Sequence, residues 1–154
     1  MIVYRLSRKK YAKELTGKGA ALSGNRWNSK GVEIIYTSDS RALAMAEVAV
    51  HLTLATIPKD FVLLEILIPD VIEILELENK QLPKQWNSFP HYHETQILGD
   101  NYIREQKYAV MRVPSAVVQG HFNFLINPHH PKFSAVKILA EFPFLFDQRL
   151  FQST

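Results

Sequence analysis

The chain has 154 residues, 47% of them hydrophobic and 21% charged, with 18 Lys and Arg against 15 Asp and Glu, which suits one domain over residues 1–154 that buries about two thirds of its unfolded surface. No run approaches the ~18 apolar residues of a membrane helix, and Met1 to Lys10 lacks the apolar block of a secretory signal, so a cytoplasmic location away from membranes is expected. The absence of cysteine excludes disulfides, thiolate nucleophiles and thiolate metal sites, leaving Arg, Glu, Ser, Tyr, His and Asp to do any chemistry.

Ile2 to Leu6 reads as a strand, followed by a basic piece, helical or irregular, from Arg8 to Leu15. Thr16 to Gly31 holds Gly17, Gly19, Gly24 and Gly31 among Ser23, Asn25, Asn28 and Ser29, which is loop chemistry with positive-φ positions on offer. Ile34 to Thr37 is a second strand, Ser38 and Asp39 offer an N-cap, and Ser40 to about Leu54 is rich enough in Ala and Leu for a helix that Pro58 closes. Phe61 to Ile68 and Val71 to Leu77 are apolar runs of strand length, the second also compatible with helix. Lys80 to Pro90 is a connection, and His91 to Gln106 suits a helix with Ile97, Leu98 and Ile103 inward. Ala109 to Val113, Ala116 to Val118 and Phe122 to Ile126 read as short strands, and Ala135 to Phe146 alternates as sheet does. The sum is an α+β domain of short strands with two or three helices.

Four residues draw attention as chemistry. Arg26, in Gly24-Asn25-Arg26-Trp27-Asn28, offers a guanidinium beside a glycine that lets backbone approach a ligand, a natural pyrophosphate or ribose clamp; it can equally pin its loop through backbone carbonyls. Glu47 stands in Ala42-Leu43-Ala44-Met45-Ala46-Glu47-Val48-Ala49-Val50, apolar on every face, where a carboxylate needs a partner or a pocket. His51, one turn on, and Arg26 are the candidate partners. Tyr36 ends a strand just before that helix, where its ring can stack on a ligand and its hydroxyl make a polar contact. Ser115, after Val113-Pro114, sits at a strand end, fit to orient a ligand or cap a turn.

The ordered set Gly19 to Gly31, Ile35-Tyr36-Thr37-Ser38, Leu43 to Glu47 with His51, Arg112-Val113-Pro114-Ser115, and Asn123 to Pro128 with His130 and Phe133 resembles the RES domain over nearly the whole chain. Arg26, Glu47 and Ser115 match the arginine, glutamate and serine of that family, and Tyr36 its pocket tyrosine. Asn25 departs from a more usual glycine. The resemblance implies a fold similar to ADP-ribosyltransferases, NAD⁺ as substrate with no further cofactor and no metal, Trp27 and Asn127 as additional substrate contacts, and an Xre-type antitoxin as partner. Family members hydrolyse NAD⁺, phosphorolyse it, or transfer ADP-ribose to a protein.

Cleaving the nicotinamide–ribose bond builds positive charge on the ribose, for which Glu47 is the expected counter-charge. Arg26 would hold the pyrophosphate, Tyr36 stack on nicotinamide, and Ser115 orient the substrate. Nicotinamide leaves from an already cationic ring, so a general acid is not required. Three rivals stand beside this reading. His91, His93, His121, His129 and His130 invite a metal, although their spacing matches no ligand motif. Arg8, Lys9, Lys10, Tyr11 and Lys13 invite RNA, but the remaining basic residues are scattered, so direct nucleic-acid binding is not expected. A non-catalytic interaction module is the third.

Overall fold

The computed structural model describes residues 1–91 and 93–151. Seven strands form one sheet: β1 (Ile2–Arg8), β2 (Ile35–Ser38), β3 (Phe61–Leu67), β4 (Ile74–Glu76), β5 (Val110–Pro114), β6 (Phe122–Ile126) and β7 (Lys137–Phe144), in the order β4-β5-β6-β2-β1-β3-β7. All neighbours run antiparallel except β4 and β5. Among the described residues three α-helices complete it: α1 (Lys18–Ser23), α2 (Arg41–Ala49) and α3 (His93–Glu105). The α+β class read from the sequence is the class observed.

Alternation along the strands sorts the core by face. Val62, Leu64 and Ile66 of β3, Val110 of β5 and Phe124 and Ile126 of β6 pack on one side with Ala12, Ile72 and Val136. On the other side Met111, Val113 and Leu125 pack with Trp27 and Tyr102 of α3, while Leu6, Phe61 and Leu63 pack with Ala44 of α2. The two longer helices therefore cover the same face.

The sheet is not evenly laced. β1 pairs with β3 along its whole length, from Ile2↔Leu67 to Arg8↔Phe61. With β2 it shares the single pair Tyr4↔Ser38. β2 is instead held to β6 through all four of its residues, Ile35↔Ile126 to Ser38↔Asn123. Two firmly paired half-sheets thus part between β1 and β2, and that parting is where a cleft opens.

Several local expectations need correction. The stretch from Thr16 to Gly31 contains α1, since Ala and Leu carry Lys18 to Ser23 into a helix before Gly24 stops it at φ 73°. The N-cap of α2 is Ser40, whose Oγ accepts from the Leu43 N–H at 3.1 Å, and the helix ends at Ala49, well before Pro58. Ser38 and Asp39 are spent elsewhere: Asp39 accepts from the Phe122 N–H and pairs with His121. Val71 to Leu77, open to strand or helix on sequence, supplies the strand β4. Ala116 to Val118 forms no strand, because the Ser115 hydroxyl accepts from the Val117 and Val118 amides, 3.0 Å each, and turns the chain toward β6. In α3 the buried residues are Thr95, Gly99 and Tyr102, whereas Ile97 is 44% exposed. A glycine at the inward position draws the helix closer than an apolar-stripe reading allows.

Candidate functional site

The parting of β1 and β2 opens a cleft of about 660 Å³ lined by residues from β1, α1, the 25–27 turn, β2, α2, the 87–91 segment, the 116–117 turn and β6. This lies in the roughly 300–1,000 Å³ range of small-molecule sites. Arg26, Trp27, Tyr36 and Glu47 all line it, together with Arg5, His51, His91 and Asn123.

The turn that carries Arg26 is built rigidly. Asn25 and Asn28 exchange backbone hydrogen bonds at 2.9 and 3.4 Å, putting Arg26 and Trp27 at the tip of a tight turn. The buried Asn28 donates through Nδ2 to the carbonyls of Ala20 at 3.0 Å and Val32 at 2.9 Å. Its Oδ1 accepts from the Tyr36 hydroxyl at 2.6 Å, and that hydroxyl accepts from the Trp27 N–H at 3.2 Å. Helix α3 holds the turn from outside: Asp100 accepts from the Ser29 backbone and hydroxyl, and Gln96 donates to the carbonyls of Asn25 and Asn28. Gly99 lets the two approach, since a Cβ there would lie 1.7 Å from the Trp27 carbonyl oxygen.

The Tyr36 hydroxyl accordingly has a different job from the ligand contact expected of it. Its ring lines the cleft, but its hydroxyl is committed to the Arg26 turn, and burial raises its pKa above the usual phenol value. Arg26 donates through Nη1 to the carbonyls of Trp86 at 2.6 Å and Ser88 at 2.9 Å. It thereby fastens the segment that brings Asn87, Phe89 and His91 to the cleft, the loop-pinning role that the sequence left open. Burial lowers its pKa, and the charge of the Glu47 carboxylate offsets part of that. His91 is likewise shifted down, by burial and then by Arg26, which keeps it neutral at pH 7.

Glu47 is positioned by neutral donors rather than by a cation. It lies one turn beyond Leu43 on the inward face of α2, half-buried, with Arg41 and Ala42 exposed on the other. The helix is apolar all round in composition yet buried on one face only, at Leu43 and Ala44. Glu47 Oε1 accepts from Ser115 Oγ at 2.7 Å and from Asn123 Nδ2 at 2.6 Å. Asn123 is itself oriented by the Ser38 hydroxyl, which donates to its Oδ1 at 2.9 Å. Neither His51 nor Arg26 bonds to the carboxylate among the described residues, although His51 lines the same cleft. Both hydrogen bonds fall on Oε1, and among the described residues none reaches Oε2.

Ser115 is buried behind Glu47 rather than on the cleft surface, so it orients the glutamate and not a bound molecule. Asn127 is not brought to the cleft. Its side chain donates to the Ile103 carbonyl and accepts from the His129 N–H, closing the chain after β6. Sequence reasoning missed Asn123 as a site residue, although its one-residue offset from Phe124 puts it on the α2 face of β6. Among the described residues no three His, Asp or Glu side chains converge as a metal-ligand set, and no helix is long and apolar enough to cross a membrane.

Comparison with known proteins matches this arrangement to one family. The RES domain family matches residues 2–147. The chain is similar to a Prs ADP-ribosylating toxin of Sphingobium sp. (strain YBL2), 37% identical over 141 residues that span 90% of this chain and 88% of that one. It is similar to a Toxin Res of Yersinia enterocolitica, 34% identical over 97% of this chain and 99% of the relative, and to a Toxin Res of Pseudomonas putida, 35% identical over 98% and 100%. Its fold is similar to that in the crystal structure of the M. tuberculosis MbcT-MbcA toxin-antitoxin complex, with TM-score 0.74 and 20% identity over 91% of this chain and 81% of that one. The chain belongs to the RES domain family.

Proposed function

We propose that this chain is the toxin of a toxin–antitoxin pair and that it cleaves the nicotinamide–ribose bond of NAD⁺. The observation that carries the reading is a carboxylate held by two neutral donors on one oxygen, its other oxygen unbonded among the described residues, in a cleft that also contains two guanidiniums. As the bond to nicotinamide lengthens, positive charge builds at the ribose anomeric carbon, and a preorganised carboxylate stabilises it without reorganising. Glu47 Oε2 is suited to the ribose hydroxyls, the Tyr36 and Trp27 faces to the nicotinamide ring, and the donors of Arg26 beyond Nη1 to the substrate's phosphates. The family relatives named as toxins and the fold shared with a toxin–antitoxin complex support the toxin role and an antitoxin partner, for which an Xre-type protein is our candidate.

Water, phosphate and a protein side chain are the three acceptors for the ADP-ribosyl group. The relative named an ADP-ribosylating toxin favours keeping transfer to a protein as the second reading. Purified protein incubated with NAD⁺ and with total RNA separates an NAD⁺-cleaving toxin from a ribonuclease: nicotinamide release with intact RNA is expected, and degraded RNA with intact NAD⁺ contradicts the proposal. Mass spectrometry of the products with and without phosphate then distinguishes ADP-ribose, its phosphate and a modified protein.

The hydrogen bonds onto Glu47 carry a prediction of their own. Asn123→Asp replaces a donor 2.6 Å from Oε1 with a like charge, which repels the carboxylate out of position. A fall in kcat of about 10–100-fold is expected with KM changed far less. Ser115→Ala removes the second donor and should cost about 10-fold in kcat, in steady-state measurements of nicotinamide release.

A further inference from the structure

Residues 84–90 run along the cleft outside any helix or strand, and Asn87, Phe89 and the adjoining His91 line it. The segment folds on itself in two tight turns. The Trp86 N–H donates to the Pro83 carbonyl at 3.2 Å and the Ser88 N–H to the Gln85 carbonyl at 3.0 Å, with Gln85 in the left-handed region at φ 60°. Its hold on the body is narrow. Arg26 Nη1 donates to the carbonyls of Trp86 and Ser88, the Trp86 ring lies 6.1 Å from that of Trp27, and His91 Nε2 lies 3.3 Å from Gln96 Nε2. Each of these contacts ends on the 25–28 turn or on the Gln96 side chain that holds that turn. A strap gripped at its centre by one guanidinium, and paired with no strand of the sheet, can open while the core stays closed.

Phe89 is the residue this strap presents. It lines the cleft yet is 82% exposed, more than any other large apolar side chain among the described residues. The phenylalanines at the far edge of the sheet behave differently, Phe61, Phe144, Phe146 and Phe151 packing ring against ring. A bare phenyl ring on the wall of a ligand-sized cleft has a flat face for a flat ligand to cover.

Arg26 couples the strap to charge. Nη1 carries two N–H groups, one for each strap carbonyl, and among the described residues no acceptor meets Nε or Nη2. That second edge of the guanidinium is the one that matches a pair of phosphate oxygens. An anion held there fixes Arg26, and a fixed Arg26 fixes Trp86 and Ser88. The coupling is reciprocal, so whatever holds the strap down tightens the anion.

We propose that residues 84–90 form a lid over the cleft, which an anion bound at Arg26 closes, and that Phe89 then stacks on the base of the bound nucleotide. The choice of adenine as that base, the ring farther from Glu47, rests on the proposed NAD⁺ activity; the lid itself does not.

The test is hydrogen–deuterium exchange of the whole chain with ADP-ribose, which has the adenine and the diphosphate but no scissile bond, and with inorganic pyrophosphate. Peptides covering 84–90 should exchange about 10-fold more slowly under saturating ADP-ribose. Pyrophosphate, which reaches Arg26 but has no ring, should protect them less. Arg26→Gln should speed exchange there in the ligand-free chain and leave β1 and β3 as they are. By calorimetry Phe89→Ala, a change at a side chain the fold barely buries, should weaken ADP-ribose about 5–50-fold and leave pyrophosphate unaffected. Phe89→Tyr, which keeps the ring, should restore the affinity. Exchange at 84–90 that does not respond to saturating ADP-ribose overturns the lid, and unchanged ADP-ribose affinity in Phe89→Ala overturns the stacking; nicotinamide release by wild type in either case leaves NAD⁺ cleavage standing. A wild-type chain that releases no nicotinamide, yet whose 84–90 exchange slows with ADP-ribose, overturns the NAD⁺ reading and retains the lid.

Discussion

Glu47→Gln is expected to lower nicotinamide release about 10²–10³-fold, equivalent to roughly 2.7–4 kcal/mol of transition-state stabilisation. The substitution isolates charge from shape. The amide side chain keeps an acceptor oxygen for Ser115 Oγ and Asn123 Nδ2, the two contacts that fix Glu47, and puts a neutral NH₂ group where Oε2 stands. The thermal midpoint should stay close to that of wild type. Because the lost interaction exists mainly once the ribose has become cationic, kcat should fall while KM changes little. Glu47→Ala should be at least as inactive, since it also leaves the Ser115 and Asn123 donors without their acceptor. Undiminished turnover in a folded Glu47→Gln chain would remove the electrostatic account of catalysis.

The largest effect on stability is expected at a residue that touches no substrate. Gly99→Ala places a Cβ 1.7 Å from the Trp27 carbonyl oxygen and 2.7 Å from its carbon, both backbone atoms that cannot swing away as a side chain would. Helix α3 must therefore move off the 25–28 turn. The move strains the Asp100 bonds to Ser29 and the Gln96 bonds to the Asn25 and Asn28 carbonyls. A loss of about 3 kcal/mol or more follows, near the upper end for overpacking. For a chain of this size that lowers the midpoint of thermal unfolding by roughly 10 °C. Surviving folded protein should also show a raised KM, because Arg26 and Trp27 ride on the displaced turn. A differential scanning measurement with no shift would mean that helix and turn are not in the contact described.

Much of this arrangement is legible in the residues. Short apolar runs bounded by Gly, Pro and polar residues locate β1, β2, β3, β5 and β6, and the Ala-rich run locates α2, because buried strands and helices write their burial into the chain. The arginine, tyrosine and glutamate also meet in one cleft, as their motif implies. What stays hidden depends on partners distant in sequence. On composition Glu47 needs a partner or a pocket, with His51 and Arg26 as the candidates, but Ser115 and Asn123, 68 and 76 residues away, supply neutral donors instead. The Tyr36 hydroxyl is free on paper, yet Asn28 and Trp27 claim it once the 25–28 turn folds back on β2. Asn127 shares a motif with Asn123, and strand geometry separates them: Asn123 faces α2, while Asn127 lies just past the end of β6 and bonds to α3. Arg5 has no motif to mark it. Only the parting of β1 from β2 reveals that this strand residue meets the cleft.

The most direct test of the account is the crystal structure of Glu47→Gln with intact NAD⁺ bound. The dinucleotide should lie in the parting between β1 and β2, its nicotinamide ribose hydroxyls within hydrogen-bonding distance of the substituted amide and its diphosphate over the Arg26 guanidinium. A dinucleotide bound outside that cleft, or one whose adenosine rather than nicotinamide ribose meets that amide, would contradict it.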